Sequence, residues 1–198
     1  MTAYIKKGFT LIELLIVMAI LGVLAVVVLV AINPVQQLAR TRDSGRKSTV
    51  TQLGHSLEAY FTARNGEYLD GVNCIGTNGG PVLTAWMGCL EFAGEMSSAP
   101  STIANSVGTK TPKTCDLIGG ISGSQSQFCY NVNIDSTAAV IFTILESATE
   151  ESKCPSQTPF FVWSTADGRG GTLCLGGAPS AGTKYTSNCA GSSCYLED

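Results

Sequence analysis

The first 73 residues of this 198-residue chain contain no cysteine, and the whole chain holds a single histidine. Charged residues make up only 14% of it, where soluble domains average about 25%. Each shortage excludes something. One histidine, His55, leaves little from which to build a nucleophile–base pair, and it reads as a surface or packed residue. The cysteines form no Cys-x2-Cys pair, so zinc spacing is missing. There is no G-x-x-x-x-G-K-[ST], no H-E-x-x-H and no G-x-S-x-G, which removes the common phosphate-binding, metalloprotease and hydrolase signatures. No N-x-[ST] acceptor is present either. A pI near 5.1 excludes a strongly basic nucleic-acid binder. An apolar fraction of 44% with a net charge of −3 excludes bulk disorder. We expect no enzyme activity, no cofactor, no metal and no specific nucleic-acid partner.

What is present is unevenly spread. Residues 1–65 carry seven Lys/Arg and three Asp/Glu, net +4, whereas residues 66–198 carry five and twelve, net −7. All eight cysteines fall in the second part. In the first part, Phe9 to Ile32 read FTLIELLIVMAILGVLAVVVLVAI, 24 residues with one charge, Glu13. As a helix this run is about 36 Å long, enough to cross a hydrocarbon core of about 30 Å. It is too long for the apolar region of a secretory signal, and Leu29-Val30-Ala31 is a poor cleavage site because Leu29 is bulky.

Glu13 requires a physical account. A carboxylate at membrane depth costs roughly 2.5 kcal/mol or more, so it normally has a partner or a function. No Lys or Arg stands within the run. One partner is a new α-amine at Phe9, made by cutting the chain after Gly8. The plainer alternatives are a protonated side chain, or one that snorkels to the interface.

Lys6-Lys7-Gly8-Phe9-Thr10-Leu11-Ile12-Glu13-Leu14 resembles the processing signal of type IV pilins and the related pseudopilins of type II secretion and DNA uptake. The resemblance covers about residues 6–33. It implies that a prepilin peptidase cuts between Gly8 and Phe9 and N-methylates Phe9. It also implies that Glu13 pairs with the terminal amine of an adjacent subunit during assembly, driven by a membrane platform and its ATPase. The family's kinking proline commonly stands closer to the glutamate than Pro34 does here.

Gly22 and Pro34 interrupt the helical pattern. Helical spacing resumes with Val50, Leu53, Leu57, Tyr60 and Phe61 on one face, so we expect a kink at Pro34 and a stop at Asn65-Gly66. Between them, Arg40 to Thr49 (RTRDSGRKST) is polar all round with net +3. It reads as a solvated junction. A functional alternative gives Arg40, Arg42, Arg46 and Lys47 a contact with acidic surface on a neighbouring subunit.

Residues 66–198 read as a cysteine-bearing, extracytoplasmic β-sheet domain. Strand patterns occur at Gln127–Ile134, Ala138–Leu145, Phe160–Ser164 and Thr172–Leu175, giving two hairpins and an antiparallel sheet of about four strands. Residues 71–125 and the tail read mainly as loops. Cys74, Cys89, Cys115, Cys129, Cys154, Cys174, Cys189 and Cys194 form an even set suited to disulfides in an exported domain. The number of connectivities is too large for spacing to choose among them. Pairing in chain order would join 74 to 89, 115 to 129, 154 to 174 and 189 to 194.

The expected fold is therefore α+β: a long kinked N-terminal helix, membrane-spanning in its first half, packed on a sheet with disulfide-tethered loops. The expected organisation is a leader over 1–8, an apolar helix over 9–33, an amphipathic continuation over 34–65 and the sheet domain over 66–198. The leading functional expectation is a structural subunit, major or minor, of a type IV pilus-like filament. The subunit would be a single-pass protein of the cytoplasmic membrane with its N-terminus inside, and later part of an extracellular homo-oligomer. A pseudopilin of a secretion or uptake apparatus is the alternative within that class. A membrane-anchored adhesin that never polymerises is the alternative outside it.

Overall fold

The computed structural model describes residues 8–70, 85–103, 115, 117–118 and 121–183. The chain divides into two units, Met1–Leu38 and Ala39–Asp198. The first is built on helix α1, Leu11–Ile32, none of whose residues is buried. Asn33 adopts a left-handed conformation (φ 44°) and stops α1. Pro34 then opens helix α2, Pro34–Ala63. The bend expected at Pro34 is thus a break at the residue before it. Proline disfavours helical geometry in its predecessor, while at the first position of a helix its missing N–H costs nothing. Gly22, the other expected interruption, lies inside an unbroken α1. An isolated glycine costs about 1 kcal/mol, which weakens a helix without ending it.

In the second unit α2 ends as its sequence implies. Asn65 (φ 56°) and Gly66 (φ 84°) take left-handed geometry, and the Gly66 N–H donates to the Phe61 carbonyl at 3.0 Å. A two-stranded ribbon follows later, β1 (Leu117–Ile118) with β2 (Ile121–Ser122). The main sheet is antiparallel and runs in chain order: β3 (Ser124–Gln125), β4 (Phe128–Val132), β5 (Ala139–Ile144), β6 (Thr158–Ser164) and β7 (Arg169–Leu175). It has five strands rather than the expected four, because β3 is only two residues long and carries no readable alternation. Two short helices were not expected: α3, Trp86–Ala93, which stands in the stretch read mainly as loops, and α4, Ala148–Lys153, which lies between two strand patterns. Helix α3 has no side-chain cap of its own at Ala85. Instead the Met87 N–H donates to Gln125 Oε1 of β3 at 3.0 Å.

Alternation along the strands gives the sheet two apolar faces. Phe128, Tyr130, Ala139, Ile141, Phe161 and Trp163 meet Val50, Leu53, Leu57 and Tyr60 of α2, together with Trp86, Met87 and Leu90 of α3. Cys129, Val140, Phe142, Phe160, Val162 and Leu173 form a second cluster. Within the first, Trp86 stacks on Tyr130 with ring centroids 5.1 Å apart. The Tyr130 hydroxyl donates to the Leu69 carbonyl at 2.9 Å, and burial raises its pKa well above the usual phenol value. Helix and sheet approach closely at Gly54, where any Cβ would overlap the Trp163 indole. A Cβ at Gly170 would sit more tolerably, 3.1–3.3 Å from the Phe161 and Trp163 rings.

Among the described residues, Cys115–Cys129 and Cys154–Cys174 are joined as disulfides, each with Cα atoms 5.3 Å apart. Both follow the chain-order pairing. Cys89 is also disulfide-bonded. Cys74, Cys189 and Cys194, on which the other two expected pairs depend, lie outside the described residues.

Two outcomes follow from this packing. Gly54→Ala forces the helix and Trp163 apart and should destabilise the unit by about 1–3 kcal/mol; chemical denaturation of the full chain in detergent, followed by Trp fluorescence, measures this, and an unchanged midpoint would contradict it. Replacing Cys154 and Cys174 together by Ser, which frees a loop of sequence separation 20, should cost about 3 kcal/mol in the chain-entropy account. Calorimetry of the same preparation should show a clearly lowered Tm.

Candidate functional site

The segment carrying the resemblance lies where a processing enzyme can reach it. Gly8, Phe9 and Thr10 are exposed and precede the helix, and Phe9 is 89% exposed. The Gly8–Phe9 peptide bond is therefore in non-helical chain just ahead of α1, while Lys6 and Lys7 lie outside the described residues.

Helix α1 starts where it does because of a reciprocal cap. Thr10 is the N-cap, with extended geometry (φ −87°, ψ 149°), and Glu13 stands three residues into the helix. The Glu13 N–H donates to Thr10 Oγ1 at 3.3 Å. In return, Glu13 Oε2 accepts from the Thr10 N–H at 2.8 Å and from the Thr10 hydroxyl at 2.7 Å. This is a capping box, and its carboxylate also faces the positive end of the helix. The partner of Glu13 here is thus a neutral residue of its own chain and not the cation expected from the sequence. The signal was present as Thr10-x-x-Glu13 ahead of an apolar run. The arrangement holds the carboxylate back toward the chain's start, one residue short of the nitrogen that cleavage after Gly8 would free.

Beyond Glu13, α1 presents Leu, Ile, Val and Met on every side; Leu14, Met18, Val23 and Val30 are among its exposed residues. It is long and apolar enough to cross a membrane.

The four cations that the sequence set apart are engaged by an acidic segment of their own chain. Arg40 Nε donates to Thr149 Oγ1 at 3.1 Å. Arg42 Nε pairs with Glu146 Oε1 at 2.6 Å, Arg46 Nη2 with the same oxygen at 3.2 Å, and Lys47 Nζ with Glu150 Oε1 at 2.9 Å. Arg46 also pairs with Asp43 at 2.8 Å and donates to the Ile103 carbonyl at 3.2 Å. Asp43 accepts the backbone N–H groups of Glu146 (3.0 Å) and Ser147 (2.8 Å). The stretch read as solvated on all sides is in fact partly buried, with Asp43 3% and Arg46 1% exposed. The physical reason is that α4 and the residues before it supply counter-charges and donors that local sequence patterning cannot reveal. His55 lies at the helix surface, edge-on to Trp163 with ring centroids 4.8 Å apart. Among the described residues there is no group of three or more potential metal ligands.

Residues 5–29 match the sequence profile of the prokaryotic N-terminal methylation motif. No curated protein and no solved structure gives a significant match to the chain. The matched residues include Gly8, Phe9, Thr10 and Glu13, the residues of the exposed bond and of the capping box. The chain thus carries the N-terminal methylation motif at the head of a membrane-length apolar helix, and this supports a type IV pilin-like protein.

Proposed function

We propose that the protein is a structural subunit of a type IV pilus-like filament, processed after Gly8 and polymerised through α1. The observation that carries this reading is the methylation motif over residues 5–29 together with a helix none of whose residues is buried in its own fold. Helix α1 first inserts in the cytoplasmic membrane with the leader on the cytoplasmic side. A prepilin peptidase cuts the exposed Gly8–Phe9 bond, leaving an amine at Phe9 that is then N-methylated. Glu13 exchanges its Thr10 partners for the amine of an adjacent subunit. In a low-dielectric surrounding that pairing is strong, and a carboxylate left without it is heavily penalised. The apolar surface of α1 is then covered by copies of itself instead of lipid, while the sheet units remain outside. The assembly platform and its ATPase supply the work. The filament ends outside the cell.

Mass spectrometry of the N-terminus in sheared surface filaments tests the reading. The expected first residue is N-methylated Phe9. A different first residue, or absence of the chain from filaments, would overturn the proposal. In a Glu13→Ala variant, membrane insertion should be unchanged and filament yield should fall by at least roughly tenfold. Normal yield would remove Glu13 from the mechanism.

A further inference from the structure

Helix α2 is attached to its sheet by two different chemistries in succession. From Val50 onward the buried residues are Val50, Leu53, Gly54, Leu57 and Tyr60, and their partners are apolar side chains of the sheet and α3. Before Val50 the buried residues are Ala39, Asp43 and Arg46. Here ion pairs and hydrogen bonds run from Arg40, Arg42, Asp43, Arg46 and Lys47 to residues between Glu146 and Glu150. Arg46 also donates to the Ile103 carbonyl, and Lys47 Nζ lies 6.0 Å from the centre of the Phe161 ring. Ala39 belongs to neither apolar cluster.

The two attachments differ in how readily they release. Burial of apolar surface stabilises outright, whereas buried ion pairs return little beyond their desolvation cost and mainly fix register. The acidic segment is itself held at both ends. The Leu145 N–H donates to the Pro159 carbonyl at 3.0 Å, and Cys154 is bonded to Cys174 of β7. The counter-charges therefore stay with the sheet when the helix leaves. Gly45 weakens the helix in the middle of the polar stretch. It is not there for lack of room, since a Cβ would make only ordinary contact, 3.4 Å from Ile103 Cδ1.

We propose that residues 39–49 and the segment Glu146–Lys153 form a detachable ionic clasp. Closed, the clasp fixes α2 to the sheet from Ala39. Open, it leaves α2 fixed only from Val50, with the apolar core intact. Opening frees 11 residues, which lengthens the free chain ahead of the core by about 16 Å as helix and by up to about 38 Å if extended. The inference stands apart from the filament reading, since every residue in it belongs to Ala39–Asp198.

Hydrogen–deuterium exchange of the full chain in detergent micelles, read by mass spectrometry, tests it. In the unaltered chain, amides of residues 43–49 should exchange at least about tenfold faster than those of residues 54–61. Glu146→Gln with Glu150→Gln should speed exchange at 43–49 about tenfold further and leave 54–61 and the strands unchanged. Gly45→Ala should act in the opposite direction, slowing 43–49 about fivefold. Equal protection across both stretches, an unchanged rate at 43–49 in the double variant, or loss of strand protection in that variant would each overturn the proposal, because a detachable clasp leaves the core standing. Faster exchange at 43–49 in Gly45→Ala would overturn it as well.

Discussion

A helix that is apolar on every side cannot remain in water, and this constraint governs how the rest of the chain is organised. Helix α1 has no buried residue and no polar stripe, so its surface must be covered by lipid or by other copies. Neither cover tolerates a bare carboxylate or unpaired backbone donors. The capping box at Thr10 and Glu13 meets both demands with two residues of the same chain. The same geometry leaves the carboxylate beside the bond whose cleavage would supply a cationic partner. The cap and the proposed assembly contact are thus two uses of one side chain, before and after processing.

The second unit solves a different problem. Its sheet is buried on both faces of β5, where every residue from Ala139 to Ile144 is inaccessible or nearly so, and one face must be covered by a helix that also continues toward the apolar segment. A helix apolar along its whole length would bind the sheet well but would extend the lipid-seeking surface past its needed end. Helix α2 avoids this by changing chemistry at Val50. Its N-terminal part is kept polar enough to stand in water and is seated by Glu146, Ser147 and Glu150; only its C-terminal part carries a full apolar stripe.

Much of the fold was legible because it rests on local periodicity. The apolar run, the stripe from Val50 to Phe61, the Asn65-Gly66 stop and four main strands are all short-range patterns, and the structure places elements on each of them. Two disulfides also follow chain order, although neither joins paired strands: Cys115 precedes β1 and bonds to β4, and Cys154 ends α4 and bonds to β7. What escaped detection depends on distant partners. Helix α4 is six residues long and is seated by Asp43, roughly a hundred positions away in sequence. Helix α3 takes a cap from Gln125 on β3. At the candidate site Gly8, Phe9 and Glu13 could be named from the family resemblance that their spacing carries. The Thr10 half of the cap is also local, a Thr-x-x-Glu spacing ahead of the apolar run, but it shows as hydrogen bonding and not as charge pairing.

The uneven charge of the chain takes on a different meaning in this light. Its N-terminal third is basic and the remainder acidic, which suggested an attraction between copies. Within one chain the basic residues Arg42, Arg46 and Lys47 already face Glu146 and Glu150 at 2.6–3.2 Å. Charges engaged at that range, several of them shielded from solvent, have little left to offer a neighbour, because each new ion pair would first have to break an existing one. On the proposed filament reading, cohesion would come from α1 and Glu13, and these ion pairs would serve the interior of each subunit. The opposite signs are far apart in sequence, and folding brings part of them together, so that Arg42, Arg46 and Lys47 meet Glu146 and Glu150 about a hundred residues on.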